Sequence, residues 1–308
     1  MKGSRNAPKA RRKRQIWRPF VRENAVETGR IFGVVAPSPC IHMRKLLGIL
    51  GYIVLALAVV IAGLALLVRY RSQVALRKTY TVQVRPVSIP TDSAALEHGK
   101  HLAQTRGCID CHGRDFAGAK VIEDGAMGRL YAPNITRGQG GRMTAFKDED
   151  WVRAIRHGVG PDGLGLFVMP SVEYSHLSDE DLGSLIAYLK GVPAVDRERV
   201  PTQYGPVTRV LLTVSTNKMI AAAAIDHAHI APPAAVVKGP TAEYGRYLAA
   251  ACMGCHGPNF SGGKIDIGPP DWPKAANLTP HADGHLLKWS EQDFIAAIRT
   301  PGGPTAAS

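Results

Sequence analysis

The segment Cys108-Ile109-Asp110-Cys111-His112 recurs as Cys252-Met253-Gly254-Cys255-His256, and no other feature narrows the choice of fold as much. Two thiols two residues apart can each add to one vinyl group of a porphyrin, and the histidine that follows can bind its iron. A single C-x-x-C also suits half a zinc site or a redox dithiol. A zinc ribbon needs two such pairs closing on one metal. Here each pair carries its own histidine, and long dissimilar segments lie between them. Cys108, Cys111, Cys252 and Cys255 are therefore expected to hold two covalent c-type haems, with His112 and His256 as iron ligands. The fifth cysteine, Cys40, is expected to be a free thiol, and no disulfide is needed.

The formal net charge of +13 sits mostly at one end: residues 1–45 hold twelve Lys or Arg against Glu23 and Glu27. Such a run suits nucleic acid. The apolar segment that follows directly accounts for it better, so no nucleic-acid partner is expected. Residues 1–42 are basic and broken by Pro8, Pro19, Pro37 and Pro39, which predicts a disordered leader. Met43 precedes Arg44-Lys45 and is the alternative start, with the leader then foreign to the natural protein.

Leu46 to Val68 is 23 residues without a charge. As a helix it runs about 34 Å, enough for a hydrocarbon core of about 30 Å. A cleaved signal peptide is the competing reading, but its apolar stretch is shorter and ends at small residues. This one ends at Arg69-Tyr70-Arg71, so residues 43–72 are expected to be an uncleaved single-pass anchor. The preceding charge puts the N-terminus in the cytoplasm. In a bacterium the rest lies in the periplasm, on the cytoplasmic (inner) membrane.

Tyr80 to Thr91 alternates apolar and polar residues, as a short strand or an extended linker. Helical patterning follows near Ser93–Leu102, directly before the first motif. After Gly- and Pro-rich segments to about Gly141, a helix is expected over Lys147–His157, with Phe146, Trp151, Ala154 and Ile155 on one face. A loop over Gly158–Tyr174 contains Met169-Pro170. A last helix, Asp179–Lys190, opens on Ser178 with Asp181 three residues later, a capping-box variant, and closes at Gly191 and Pro193.

From Leu96 to Gly191 this order resembles a class I cytochrome c domain. The resemblance implies a mainly α fold and makes Met169 the second axial ligand of the first haem, with Met127 and Met143 as competitors. The Pro133 carbonyl is a candidate partner for the ring nitrogen of His112.

An internal repeat runs through the chain. Glu97-His-Gly-Lys-His-Leu matches Glu243-Tyr-Gly-Arg-Tyr-Leu, Asn134-Ile-Thr matches Asn277-Leu-Thr, and Asp150-Trp-Val-Arg-Ala-Ile-Arg156 matches Asp293-Phe-Ile-Ala-Ala-Ile-Arg299. The expected layout is one transmembrane helix and two tandem cytochrome c-like domains. These cover residues 91–196 and 238–308, joined by a linker over 197–237 that reads as a docking helix or strap. No counterpart of the Met169 loop follows Arg299, so the second domain is expected to be truncated and the less stable. Its haem is then five-coordinate or uses another residue such as His281 or His285. Met219 is a further, weaker ligand candidate.

A haem closed by His and Met favours one-electron relay over catalysis. The pattern is similar to the membrane-bound cytochrome subunits of alcohol, aldehyde and gluconate dehydrogenases. That resemblance implies a dehydrogenase or quinol-oxidising partner, and a terminal oxidase or soluble cytochrome as acceptor. The alternatives are a di-haem peroxidase-like enzyme and a haem-based sensor.

Overall fold

The computed structural model describes residues 39–265 and 272–300, apart from the side chains of residues 39–42 and of His285. The basic leader, the Cys40 thiol and the His285 imidazole lie outside the described residues.

Helix α1 spans Pro39–Arg77. By length and composition its stretch Met43–Arg77 is long and apolar enough to cross a membrane, with a mean hydropathy of 2.8 over an 18-residue window within it. Those 35 residues reach about 52 Å, well beyond a hydrocarbon core of about 30 Å. The C-terminal surplus is packed by protein. Ser72 is fully buried and accepts a hydrogen bond from Arg209 Nη1 at 3.1 Å, and Leu76 enters an apolar cluster.

Residues 80–91 then run extended, without a strand ladder. They serve two clusters in turn. Tyr80 and Val82 pack with Val159, Leu212 and Ile220, while Val84, Val87 and Ile89 pack on Leu102, Leu182, Leu185 and Ile186.

The second of these cores is built where α2 (Ser93–Thr105) crosses α6 (Asp179–Gly191). Asp92 caps α2 by accepting the Ala95 N–H at 2.9 Å. Ser178 caps α6 by accepting the Asp181 N–H at 3.1 Å. The crossing is close because position 99 is glycine: a Cβ there would lie 2.0 Å from the Ser184 carbonyl oxygen. Helix α4 (Asp148–His157) adds buried Trp151, Ala154 and Ile155, and Phe146 meets Trp151 edge-on at 5.8 Å. Arg156, 2% exposed, ties α4 to the start of α6 by donating to Asp179 Oδ1 and the Leu177 carbonyl, both at 2.8 Å.

A small antiparallel sheet, unexpected from the sequence, joins β1 (Lys120–Asp124), β2 (Gly128–Tyr131) and β3 (Gln203–Tyr204) in that order. Its third strand comes from the segment read as a linker. The same segment forms α7 (Pro206–Val214) and α8 (Thr216–Met219); Leu212, Met219 and Ile220, which follows α8, are buried against Val159, Phe167 and Val168. Residues 197–237 thus brace the loop that carries Met169.

His157 in α4 and His227 in the strap meet Nδ1 to Nδ1 at 3.1 Å, and His227 Nε2 faces the Ala222 carbonyl at 3.0 Å. A carbonyl only accepts, so His227 donates from Nε2 and accepts from His157 at Nδ1. Burial first, then the neighbouring His227, pushes the His157 pKa down from 6.5 to about 4. The unfolded chain takes up this proton near 6.5 and the folded one only near 4. Stability is therefore full above the first value and falls as pH drops towards the second. Denaturant midpoints measured from pH 7.5 to 4 are expected to show this decline and to flatten in His157→Gln. A decline of equal slope in the variant contradicts it.

The second repeat forms α9 (Ala242–Ala249), α10 (Met253–His256) and α11 (Glu291–Arg299), the last opened by a reciprocal Ser290–Asp293 capping box. Trp151 and Ile155 of the first copy are each 4% exposed, whereas their counterparts Phe294 and Ile298 are 41% and 71% exposed. Helix α9 lies on α6, where the Tyr247 hydroxyl donates to Asp181 Oδ2 at 2.5 Å. Asp181 Oδ1 also meets His98 Nε2 at 2.6 Å.

Candidate metal centre

The first motif forms α3 (Cys108–His112), one turn of helix entered through Gly107 and left through Gly113, both at positive φ. This turn projects Cys108, Cys111 and His112 into a cavity of about 520 Å³. That volume lies within the range of cofactor pockets, about 300–1,000 Å³. Met169 lines the same cavity, as do Trp151, Ile155, Tyr174, Leu185 and Leu189. Of the competing methionines, Met143 also lines it. Met127 lies elsewhere, its carbonyl accepting from Thr208 Oγ1 at 2.7 Å, and Met219 belongs to the strap cluster.

His112 Nδ1 lies 3.0 Å from the Pro133 carbonyl oxygen. The carbonyl only accepts, so Nδ1 carries the proton and Nε2 keeps its lone pair for a metal. Burial pushes the His112 pKa below its ordinary value, and the Pro133 bond opposes that. Burial also drives the Cys108 thiol up to about 12 and raises Cys111, with the Asp110 carboxylate adding to both. The bare thiols are therefore protonated at neutral pH. A structural zinc site needs four ligands, and among the described residues no group of three or more His, Cys, Asp or Glu is placed to hold a metal ion. An apolar cavity with two neutral thiols, one oriented imidazole and a thioether fits an iron porphyrin.

Met169 sits on a strained loop. Val168 has φ 60°, an outlier for a β-branched residue. It is held by its N–H, which donates to the Met219 carbonyl at 2.8 Å, and by the Phe167–Ile220 bridge. The sequence did not reveal this brace. Tyr174, the last residue of α5 (Ser171–Tyr174) just past Met169-Pro170, is another wall residue missed by sequence reasoning; its hydroxyl donates to the Arg106 carbonyl at 2.8 Å.

The second motif repeats the local geometry. His256 Nδ1 faces the Ala276 carbonyl at 2.8 Å, so its Nε2 is likewise left free. Asn277 Oδ1 accepts the Thr279 N–H at 2.8 Å, as Asn134 Oδ1 accepts that of Thr136 at 2.8 Å. Phe116 and Phe260 share a left-handed φ, 56° and 57°. The surroundings differ. Cys252 and Cys255 are exposed, whereas Cys108 and Cys111 are half-buried. His281 is exposed, and its Nδ1 accepts the Asp283 N–H at 3.3 Å.

Residues 94–189 match the family described as cytochrome c oxidase, cbb3-type, subunit III. The chain is 31% identical over 253 residues to the fructose dehydrogenase cytochrome subunit of Gluconobacter japonicus, covering 73% of this chain and 49% of that protein. It is 25% identical over 240 residues to the cytochrome c subunit of the quinone alcohol dehydrogenase of Gluconobacter oxydans, covering 68% and 47%. A diheme cytochrome c-type protein of Cereibacter sphaeroides is 27% identical over 257 residues, covering 76% and 82%. The chain thus spans about half the length of the two dehydrogenase subunits.

Proposed function

Because this chain carries a cytochrome c-type domain over 94–189, we propose that it relays single electrons on the outer face of the cytoplasmic membrane, tethered by α1. In this reading Cys108 with Cys111, and Cys252 with Cys255, each hold one covalent haem. His112 and His256 are the proximal ligands, and Met169 closes the far side of the first iron. The haem domains are residues 91–196 and 238–308. The donor is a dehydrogenase or a quinol-oxidising partner, in keeping with the names of the relatives, and the acceptor is a terminal oxidase or a soluble cytochrome.

The observation that carries the reading is one cavity that gathers Cys108, Cys111, His112 and Met169. An iron porphyrin held there supplies a reversible one-electron couple. The chain does the rest. Pro133 fixes the His112 tautomer, the apolar wall excludes water, and the strap keeps Met169 in place. With His112 and Met169 both holding its iron, the first haem would offer no open position to a substrate. Rapid mixing of the purified protein with a reduced quinol is expected to reduce low-spin haem in one-electron steps, without peroxide turnover. A high-spin ferric band together with peroxide turnover would instead establish the peroxidase-like alternative.

A further inference from the structure

We infer that Arg142 and Arg199, on separate loops at the first cavity, form a receptor for the paired carboxylates of the porphyrin held there, and that their charge raises the reduction potential of this site. The inference rests on the haem reading.

Both arginines line the cavity. The strap presents them together. Gln139 N–H donates to Asp196 Oδ1 at 2.7 Å, and Arg197 N–H donates to the Gln139 carbonyl at 3.0 Å, so residues 196–199 lie alongside the loop before Arg142. Arg197 locks this arrangement with Nη2 on Asp115 Oδ2 and Nη1 on the Gly118 carbonyl, both at 2.8 Å. Its donors are engaged in holding the loops. Arg142 and Arg199 have no side-chain hydrogen bond or ion pair among the described residues. Asp162 draws on Arg142 only at longer range, and its Oδ1 accepts the Leu164 N–H.

Burial, reinforced by the Arg199 charge, lowers the Arg142 pKa. Two like charges converging on a largely apolar cavity are unfavourable until an anion joins them. The anion must belong to an apolar body that fills the cavity. A porphyrin with two propionates meets that description, and planar guanidinium groups pair with carboxylates through two parallel hydrogen bonds. Positive charge at its edge stabilises the reduced, less positive state over the oxidised one.

The test uses full-length haem-loaded protein at low ionic strength, with haem content from the pyridine haemochrome and midpoint potentials from spectroelectrochemical titration. Arg199 is exposed and its side chain makes no hydrogen bond among the described residues, so Arg199→Gln leaves folding untouched. Arg199→Gln and Arg142→Gln are each expected to shift the reduced-to-oxidised ratio about threefold towards oxidised, and the double variant about tenfold, which is 59 mV for a one-electron couple. Arg142→Lys is expected to keep most of the potential. Arg137→Gln, at an exposed residue outside the cavity, is the control. Haem-loaded Arg199→Gln that titrates with the wild type and the control overturns the inference, whether or not Arg142→Gln accumulates. Wild-type protein without a haemochrome overturns the haem reading as well, so the two failures are distinguishable.

Discussion

Gly99→Ala is expected to destabilise the first haem unit by about 3 kcal/mol, the upper end of overpacking costs, whereas Gly245→Ala is expected to be neutral or stabilising by up to about 1 kcal/mol. The two glycines are equivalent in the repeat. At Gly99 a Cβ would meet the Ser184 carbonyl oxygen at 2.0 Å and its carbon at 2.6 Å. Both are backbone atoms and cannot rotate away. Helices α2 and α6 must therefore separate, loosening Leu102 from Leu182, Leu185 and Ile186. At Gly245 a Cβ meets nothing within 4 Å among the described residues. The methyl group there simply restricts the unfolded chain and favours helix. For a unit of about 100 residues the first change lowers the melting temperature by roughly 12–24 °C. Thermal melts of the two variants, followed at the haem absorbance and by far-ultraviolet dichroism, decide the matter. Equal effects at the two positions contradict the account.

Met169→Ala is expected to have the largest effect on redox behaviour. Thioether ligation raises the potential of a histidine-bound haem, so its loss lowers it. The expected drop is at least about 100-fold in the reduced-to-oxidised ratio, roughly 120 mV at 59 mV per decade. The first haem of the variant is also expected to bind carbon monoxide and imidazole, which Met169 excludes there in the parent. Met143→Ala is the internal comparison, because Met143 lines the same cavity. A change of potential on losing Met143, and none on losing Met169, reverses the assignment of the axial ligand. The potential and the ligand-binding spectrum together separate ligation from packing, since a packing role for Met169 alters stability without opening the iron.

What the sequence made legible was local chemistry. The two C-x-x-C-H motifs are read within five residues, and helix starts within four, as at Ser178 and Ser290. The face of α4 follows from the spacing of Trp151, Ala154 and Ile155, all of which are buried. The distant pairings were not legible. Strand β1 carries Glu123 and Asp124 and looks like a charged loop; its sheet is completed by Gln203–Tyr204, some 80 residues later. The strap was hidden for a similar reason. Arg209 and Lys218 interrupt its apolar run, yet Leu212 and Ile220 are fully buried because the Met169 loop and the end of α1 supply the other half of the cluster. Arg199, in the run Asp196-Arg-Glu-Arg, reads as solvated charge until the fold brings it to the same cavity as Arg142.

The central claim is that iron porphyrin is stitched to both pairs of thiols. Intact mass of the purified protein, taken with the pyridine haemochrome and an iron assay, tests it most directly. The account predicts two haems per chain that survive denaturation, falling to one in Cys108→Ala/Cys111→Ala and to one in Cys252→Ala/Cys255→Ala. Protein that carries no covalent haem, or that holds zinc at these cysteines, contradicts it.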